Sequence, residues 1–253
     1  MLEYVEPIEV NDIQECRFYH SIDLPNGETI EGDWDLRGRI GEYLGNYSFF
    51  KKRVLDIGAA SGFLTFSMER QGAEVTSFDL ANDGKWDIVP HYRLQSQMQE
   101  LNEIQNMEVQ KVKKSYWYSH QRLQSSAKAY YGDVYNLPDE LGKFDVVVLG
   151  MIISHLRDPF QALYSASRLS TDTIIIVNQA MPSDDVYSYF MPDPAANSFL
   201  ELHLAWWAFS VGCIKKMLGV LGFEVQSVST QKYESKYREV PEECTTFIAK
   251  RIQ

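Results

Sequence analysis

The sequence predicts an α/β domain built on one mostly parallel sheet, and three observations carry that prediction. Apolar, β-branched runs recur along the 253 residues with helical segments between them, the alternation that buries a parallel sheet under helices. Glycine and proline punctuate the chain where those helices should start and stop. The last two runs lie too close together for a crossover helix, so they should pair as an antiparallel hairpin.

Seven strands are expected, at about 53–58, 74–80, 128–133, 144–150, 172–178, 223–230 and 245–251. The first, Val54-Leu55-Asp56-Ile57, enters a turn of small residues, Gly58-Ala59-Ala60-Ser61-Gly62, from which a helix departs and ends at Gly72. The second, Glu74-Val75-Thr76-Ser77-Phe78-Asp79, ends in a carboxylate seventeen residues beyond Gly62. About fifty residues then precede the third strand, and within them Leu94, Met98, Leu101, Ile104 and Met107 recur at helical spacing, predicting a helix with one apolar stripe. Tyr116-Trp117-Tyr118 and His120 follow. After the fourth strand, Asp158-Pro159 supplies an N-cap and a first-turn proline; a later helix begins after Ser210 and closes at Gly222.

Three segments lie outside this minimal plan. Residues 1–50, rich in aromatics and turn formers, read as an N-terminal cap segment on a main domain of residues 51–253. The insertion at about 81–127 and the stretch from about 181 to 209 both leave the carboxyl ends of strands. Open α/β sheets bind ligands there, so both are candidate walls and lids.

Composition narrows the class. A chain of this length can bury roughly 70 to 75% of its unfolded surface and needs no staples. Cys16, Cys213 and Cys244 are odd in number and form no C-x-x-C, arguing against a disulfide framework or a zinc site. Asp184-Asp185 reads as a solvated loop, and no metal is expected. The N-terminus lacks a basic, then apolar leader, and the longest apolar run, near Val146–Ile153, falls far short of the ~18 residues of a membrane span. A cytoplasmic protein with no membrane association is the expectation. The formal charge of -11 repels nucleic acid and favours a small-molecule partner, although Arg93, Lys111, Lys113, Lys114, Arg122 and Lys128 gather in one segment.

The strand, turn and helix at 54–62 with Asp79 beyond them form a nucleoside-binding pattern, because one carboxylate can accept from both hydroxyls of a ribose. A dinucleotide fingerprint would read G-x-G-x-x-G, to seat pyrophosphate on the helix N-terminus. This chain reads Asp56-x-Gly58-x-x-x-Gly62, and a nicotinamide enzyme is disfavoured.

That form resembles the first motif of class I S-adenosylmethionine (SAM) dependent methyltransferases, with Asp79 matching their acidic residue after the second strand. His20-Ser21-Ile22-Asp23, Trp34-Asp35-Leu36-Arg37, Val54 to Gly62 and Gly150-Met151-Ile152-Ile153-Ser154-His155-Leu156-Arg157-Asp158-Pro159 extend the resemblance to one group, those related to the enzyme that completes the 5-oxyacetyl modification of wobble uridine in tRNA. The resemblance implies a Rossmann-like, seven-stranded sheet ordered 3-2-1-4-5-7-6 with strand 7 antiparallel and a helical lid insertion. It implies SAM as cofactor and S-adenosylhomocysteine (SAH) as product, with carboxy-SAM and tRNA as the alternative pair. The acidic chain lacks the basic N-terminal region expected of a tRNA enzyme.

By position, Gly58, Ala59, Ala60 and Gly62 would approach the methionine part, and Asp56 would organise the loop near the cofactor ammonium. Asp79 and Leu80 would hold ribose and adenine, Asp133 and Val134 would read the adenine edge, and Gly150 and Met151 would lie beside the sulfonium. Methyl transfer needs a general base only when the acceptor carries a proton that must leave, and His155, just past the fourth strand, is the candidate catalytic residue. His20, Trp34, Tyr118, His120, His203 and Trp207 are possible substrate-pocket residues. The reading is a methyltransferase acting on an oxygen or nitrogen of a small molecule; the alternatives are the carboxy-SAM tRNA transferase and a non-catalytic SAM-binding module.

Overall fold

The computed structural model describes residues 3–82, 84, 86–198, 205–236 and 239–252. In chain order its strands and α-helices are β1 Ile22–Asp23, β2 Thr29–Ile30, β3 Trp34–Asp35, α1 Ile40–Tyr43, β4 Arg53–Ile57, α2 Phe63–Arg70, β5 Glu74–Leu80, α3 Met98–Leu123, β6 Lys128–Gly132, β7 Phe144–Gly150, α4 Pro159–Leu169, β8 Ser170–Asn178, β9 Ala180–Met181, β10 Ser188–Phe190, β11 Trp207–Ser210, α5 Val211–Val220, β12 Phe223–Ser235 and β13 Glu242–Arg251. One sheet runs β3-β12-β13-β8-β7-β4-β5-β6, beside the two-stranded β1-β2 and a small sheet β10-β11-β9.

The expected seven strands are therefore corrected to eight. Trp34 and Asp35 pair antiparallel with Ser235 and Glu234, which adds an edge strand from the N-terminal segment. Two residues cannot display an alternating pattern, and β12 runs past its expected end to create the edge they join. The five strands from β4 to β8 are mutually parallel, whereas β13 is antiparallel to both β8 and β12.

Alternation along the central strands divides the core. Val54, Val146, Val148, Ile175 and Val177 face α2, the end of α3 and the N-terminal segment. Leu55, Ile57, Val147, Leu149, Ile174 and Ile176 face α4 and α5. All are at most 1% exposed, which explains why these strands read as continuous apolar runs. The punctuation takes its predicted places: Asp158 Oδ1 accepts from the Gln161 amide at 3.0 Å with Pro159 in the first turn, and Gly72 and Gly222 adopt φ of +92° and +81°.

The helix of the insertion differs from its predicted stripe. Leu94 and Leu101 are buried with Ala196, but Ile104 and Met107 are 37% and 58% exposed. Burial falls instead on Lys113 and Ser115–Ser119, at the other end. With 26 residues the helix is longer than the sheet it crosses, so its C-terminal half serves as the crossover between β5 and β6 and the early turns project beyond.

Ser210 closes the other face. Its buried Oγ accepts from the amides of Cys213 and Tyr187 and donates to the Asp185 carbonyl at 2.6 Å, capping α5 and fixing the preceding loop at once. Ser210→Ala is expected to lower unfolding free energy by about 1–2 kcal/mol, measured by urea denaturation.

Candidate active site

The turn after β4 is shaped by conformation before chemistry. Gly58 and Gly62 adopt φ of +80° and +86°, and Ala60 is left-handed at +48°. A Cβ on Gly58 would stand 2.4 Å from Ile152 Cγ2, and one on Gly62 would stand 2.3 Å from the Phe66 ring. Both glycines thus serve the close packing of turn, α2 and the loop after β7 as well as the turn itself. Gly150 obeys the same constraint against Leu64 Cδ1 at 2.7 Å, and Met151 after it is left-handed at +57°, its amide held by the Val177 carbonyl at 2.8 Å.

Asp79 joins the ends of β4 and β5. Its Oδ2 accepts from the Ala60 amide at 2.8 Å and its Oδ1 from the Leu80 amide at 2.7 Å. A carboxylate has about four lone-pair sites, so two remain for a diol. Burial pushes the Asp79 carboxyl above its ordinary value, opposed by those two amides and by Lys113. Asp56 is fully buried beneath the turn, where Thr65 Oγ1 donates to its Oδ2 at 2.6 Å and Ser77 and Tyr116 extend the chain of hydrogen bonds. Its Oδ1 has no partner, and burial pushes its carboxyl up to about 7. Asp133 is exposed at the end of β6, where its Oδ1 accepts from the Tyr135 amide at 2.9 Å at the start of a short 3-10 turn that includes Val134.

A cavity opens at the carboxyl ends of β4 and β7. It is lined by Tyr19, His20, Trp34, Tyr43, Gly58, Ala59, Ala60, Leu64, Gly150, Met151 and Cys244. His20 and Trp34 are thus brought together beside the turn, whereas Tyr118, His120 and Trp207 lie elsewhere: Tyr118 donates to Glu28 at 2.9 Å, His120 Nε2 lies 3.0 Å from the Ala127 carbonyl, and Trp207 donates to the Arg157 carbonyl at 3.1 Å. His203 falls outside the described residues. His155 packs its ring against Trp86, 6.2 Å between centroids, outside the residues that line the cavity.

His20 is 7% exposed, stacked on Phe63 and edge-on to Tyr19. Burial lowers its pKa to about 4, so the imidazole is neutral at pH 7, and its Nδ1 has no partner. The backbone at His20 is fixed by close approach: a Cβ on Gly32 would lie 2.2 Å from the His20 carbonyl carbon, and the Ser21 amide donates to the Trp34 carbonyl at 2.8 Å. Tyr43 and Cys244 carry no motif and escaped the sequence reading. Only the pairing of β13 with the sheet and the burial of α1 bring them to the cavity. Burial raises the Cys244 thiol to about 12, too high for a thiolate nucleophile at neutral pH.

Beyond the cavity, the described residues of the 81–127 insertion and the 181–209 segment are knit to the loop after β7. Asp87 accepts from the Arg157 amide at 3.0 Å and from the Tyr135 hydroxyl, its carbonyl accepts from Trp206 Nε1 at 2.6 Å, and His91 Nε2 meets the Asp193 carbonyl at 2.9 Å.

No curated protein matches the sequence. Among solved structures, the N-terminal domain of EvdMO1, crystallised with SAH and D-fucose, has 18% identity and a TM-score of 0.54, covering 95% of this chain and 93% of that one. Magnesium protoporphyrin IX methyltransferase from Synechocystis PCC 6803, with bound SAM, has 14% identity and a TM-score of 0.51, covering 84% and 76%. The 1,6-didemethyltoxoflavin-N1-methyltransferase of Burkholderia thailandensis, with its substrate and SAH, has 17% identity and a TM-score of 0.51, again covering 84% and 76%. These likenesses establish a shared fold. A methyltransferase domain model matches residues 35–228, which spans the sheet from β3 into β12, and the chain therefore belongs to the methyltransferase domain family.

Proposed function

We propose that this SAM-dependent methyltransferase transfers its methyl group to an oxygen or nitrogen of a small-molecule acceptor held between the Gly58–Gly62 turn, Gly150-Met151 and the aromatic wall of Tyr19, His20 and Trp34. The observation that carries the reading is that cavity, bounded on one side by the cofactor-type turn and on the other by rings from the N-terminal segment. The magnesium protoporphyrin IX and 1,6-didemethyltoxoflavin methyltransferases, and the EvdMO1 domain crystallised with D-fucose, support a small acceptor.

SAM supplies a methyl on a cationic sulfonium, and its transfer disperses charge instead of creating it. The work left to the chain is alignment and exclusion of water. Asp79 would hold the ribose with its two unused lone-pair sites, Asp56 would sustain the turn through Thr65, and the aromatic faces would favour the cation. Asp133 and Val134 would meet the adenine edge. His20, neutral and with Nδ1 unpartnered, is better placed than His155 to accept a proton from an acceptor hydroxyl.

The alternative, a carboxy-SAM transferase acting on tRNA, needs a cation beside the transferred group. Arg and Lys are absent from the described residues lining the cavity. The basic cluster is also spoken for: Lys111 pairs with Glu108, Lys114 with Glu15, Arg122 lies over Tyr118, Lys128 over Tyr4, Arg93 bonds Asn197, and Lys113 is buried. Among the described residues, no helix is long and apolar enough to cross a membrane.

Mass spectrometry of ligand released on denaturation tests the cofactor: SAM or SAH is expected, and carboxy-SAM would overturn the reading in favour of the tRNA alternative. Asp79→Ala should weaken SAM binding by at least about tenfold in calorimetry while circular dichroism stays unchanged, the loss of hydrogen bonds to a charged group. His20→Gln should leave SAM affinity nearly intact but reduce SAH release with hydroxyl acceptors by about a hundredfold or more. For Asp56, the folded pKa of about 7 exceeds the unaltered 3.8, so the folded state holds the extra proton between them. Stability from this group is complete below 3.8 and lost as pH rises through about 7; melting curves of Asp56→Asn should be flatter across that window than those of the wild type.

A further inference from the structure

The C-terminal half of α3 carries a buried charge. Lys113 is 5% exposed, and an ammonium at that depth persists only where oxygen acceptors replace its water. Its Nζ donates to the Leu80 carbonyl at 2.5 Å and to Asn82 Oδ1 at 3.0 Å, and lies 4.1 Å from the centre of the Tyr131 ring. Those partners converge on one place. Leu80 and Asn82 follow Asp79 directly, and Tyr131 is paired with Asp79 across β5 and β6. One helical turn after Lys113, Trp117 donates to the Tyr131 hydroxyl at 3.0 Å and fixes the ring beneath the ammonium.

We propose that Lys113 is a positioning residue for the nucleoside half of the cofactor site, holding the Leu80–Asn82 turn and supplying a counter-charge to Asp79 so that its carboxylate faces the ribose diol. The inference rests on the SAM-site reading above. The groups facing Asp79 come from three neighbouring elements: its charge disfavours ionisation of Asp56 on β4 and of the Tyr131 phenol on β6, and Lys113 on α3 favours the ionised form of Asp79 itself. A methionine would fill the same space but leave the Leu80 carbonyl and the Asn82 amide oxygen without the donor they now have. An arginine keeps the charge.

The test is calorimetric titration of SAH and of 5′-methylthioadenosine into the wild type, Lys113→Met, Lys113→Arg and Asn82→Ala, from about pH 5 to about pH 8.5, above the ordinary carboxylate value. Lys113→Met should bind both ligands about tenfold more weakly near neutrality. Because removing the cation makes Asp79 easier to protonate, the acid limb of its binding profile should also move to higher pH, and Lys113→Arg should restore it. Wild-type affinity in Lys113→Met, or a loss of equal size at every pH, would overturn the proposal, the second outcome assigning Lys113 to packing alone. If Lys113→Met does not fold, the exposed Asn82→Ala decides: weaker SAH binding with an unchanged melting temperature supports the brace, and unchanged affinity overturns it. A wild type that binds neither ligand overturns the SAM site itself, a result distinct from any difference between variants.

Discussion

The hydrogen bond from the Ala60 amide to Asp79 is the interaction on which the candidate site depends. It ties the left-handed turn after β4 to the end of β5, so that the backbone of one strand end and the carboxylate of the next move as one unit. The turn can take that shape only because Gly58 and Gly62 yield their side-chain space to Ile152 and Phe66. Packing on both sides therefore fixes the loop in advance of any ligand. A rigid turn loses little entropy on binding, which is the physical advantage of placing it between two central strands.

The two carboxylates at this end of the sheet occupy different electrostatic settings. Asp56 accepts from Thr65 and keeps a bare second oxygen, so burial dominates and pushes its carboxyl up to about 7. Asp79 has two backbone amides and the field of Lys113. Burial raises both, but Asp79 keeps donors suited to its ionised form. The same sheet end thus carries one carboxyl closed in beneath the turn and another nearer the rim, held by backbone amides.

The N-terminal segment contributes more than a cover. Phe18, Ile22, Leu24, Leu36 and Tyr43 join the core on the face of α2, and Trp34-Asp35 extends the sheet through β12. Anchored at both levels, the segment presents Tyr19, His20 and Trp34 to the cavity with little freedom to withdraw. The described residues of the 81–127 insertion and the 181–209 segment, which the sequence offered as walls and lids, are joined to each other around Asp87 and to the loop after β7. Their aromatic residues Trp206 and Trp207 hold loops together through ring N–H groups.

Local chemistry made the central part of this molecule legible in one dimension. The apolar strands, the Gly58–Gly62 turn, Asp79 and the Asp158-Pro159 and Ser210 caps depend on neighbours a few residues away, and such preferences are written in composition and spacing. The family follows from the same short pattern. Tertiary structure alone decided the rest, because it rests on contacts between residues far apart in the chain. Nothing near Lys113 distinguishes it from the basic residues around it until β5 and β6 supply oxygen and ring. Nothing marks Tyr43 or Cys244 until α1 and β13 reach the cavity. His20 and His155 are equal as isolated imidazoles; burial against Phe63 at the cavity wall, set by the close approach of Gly32, separates them.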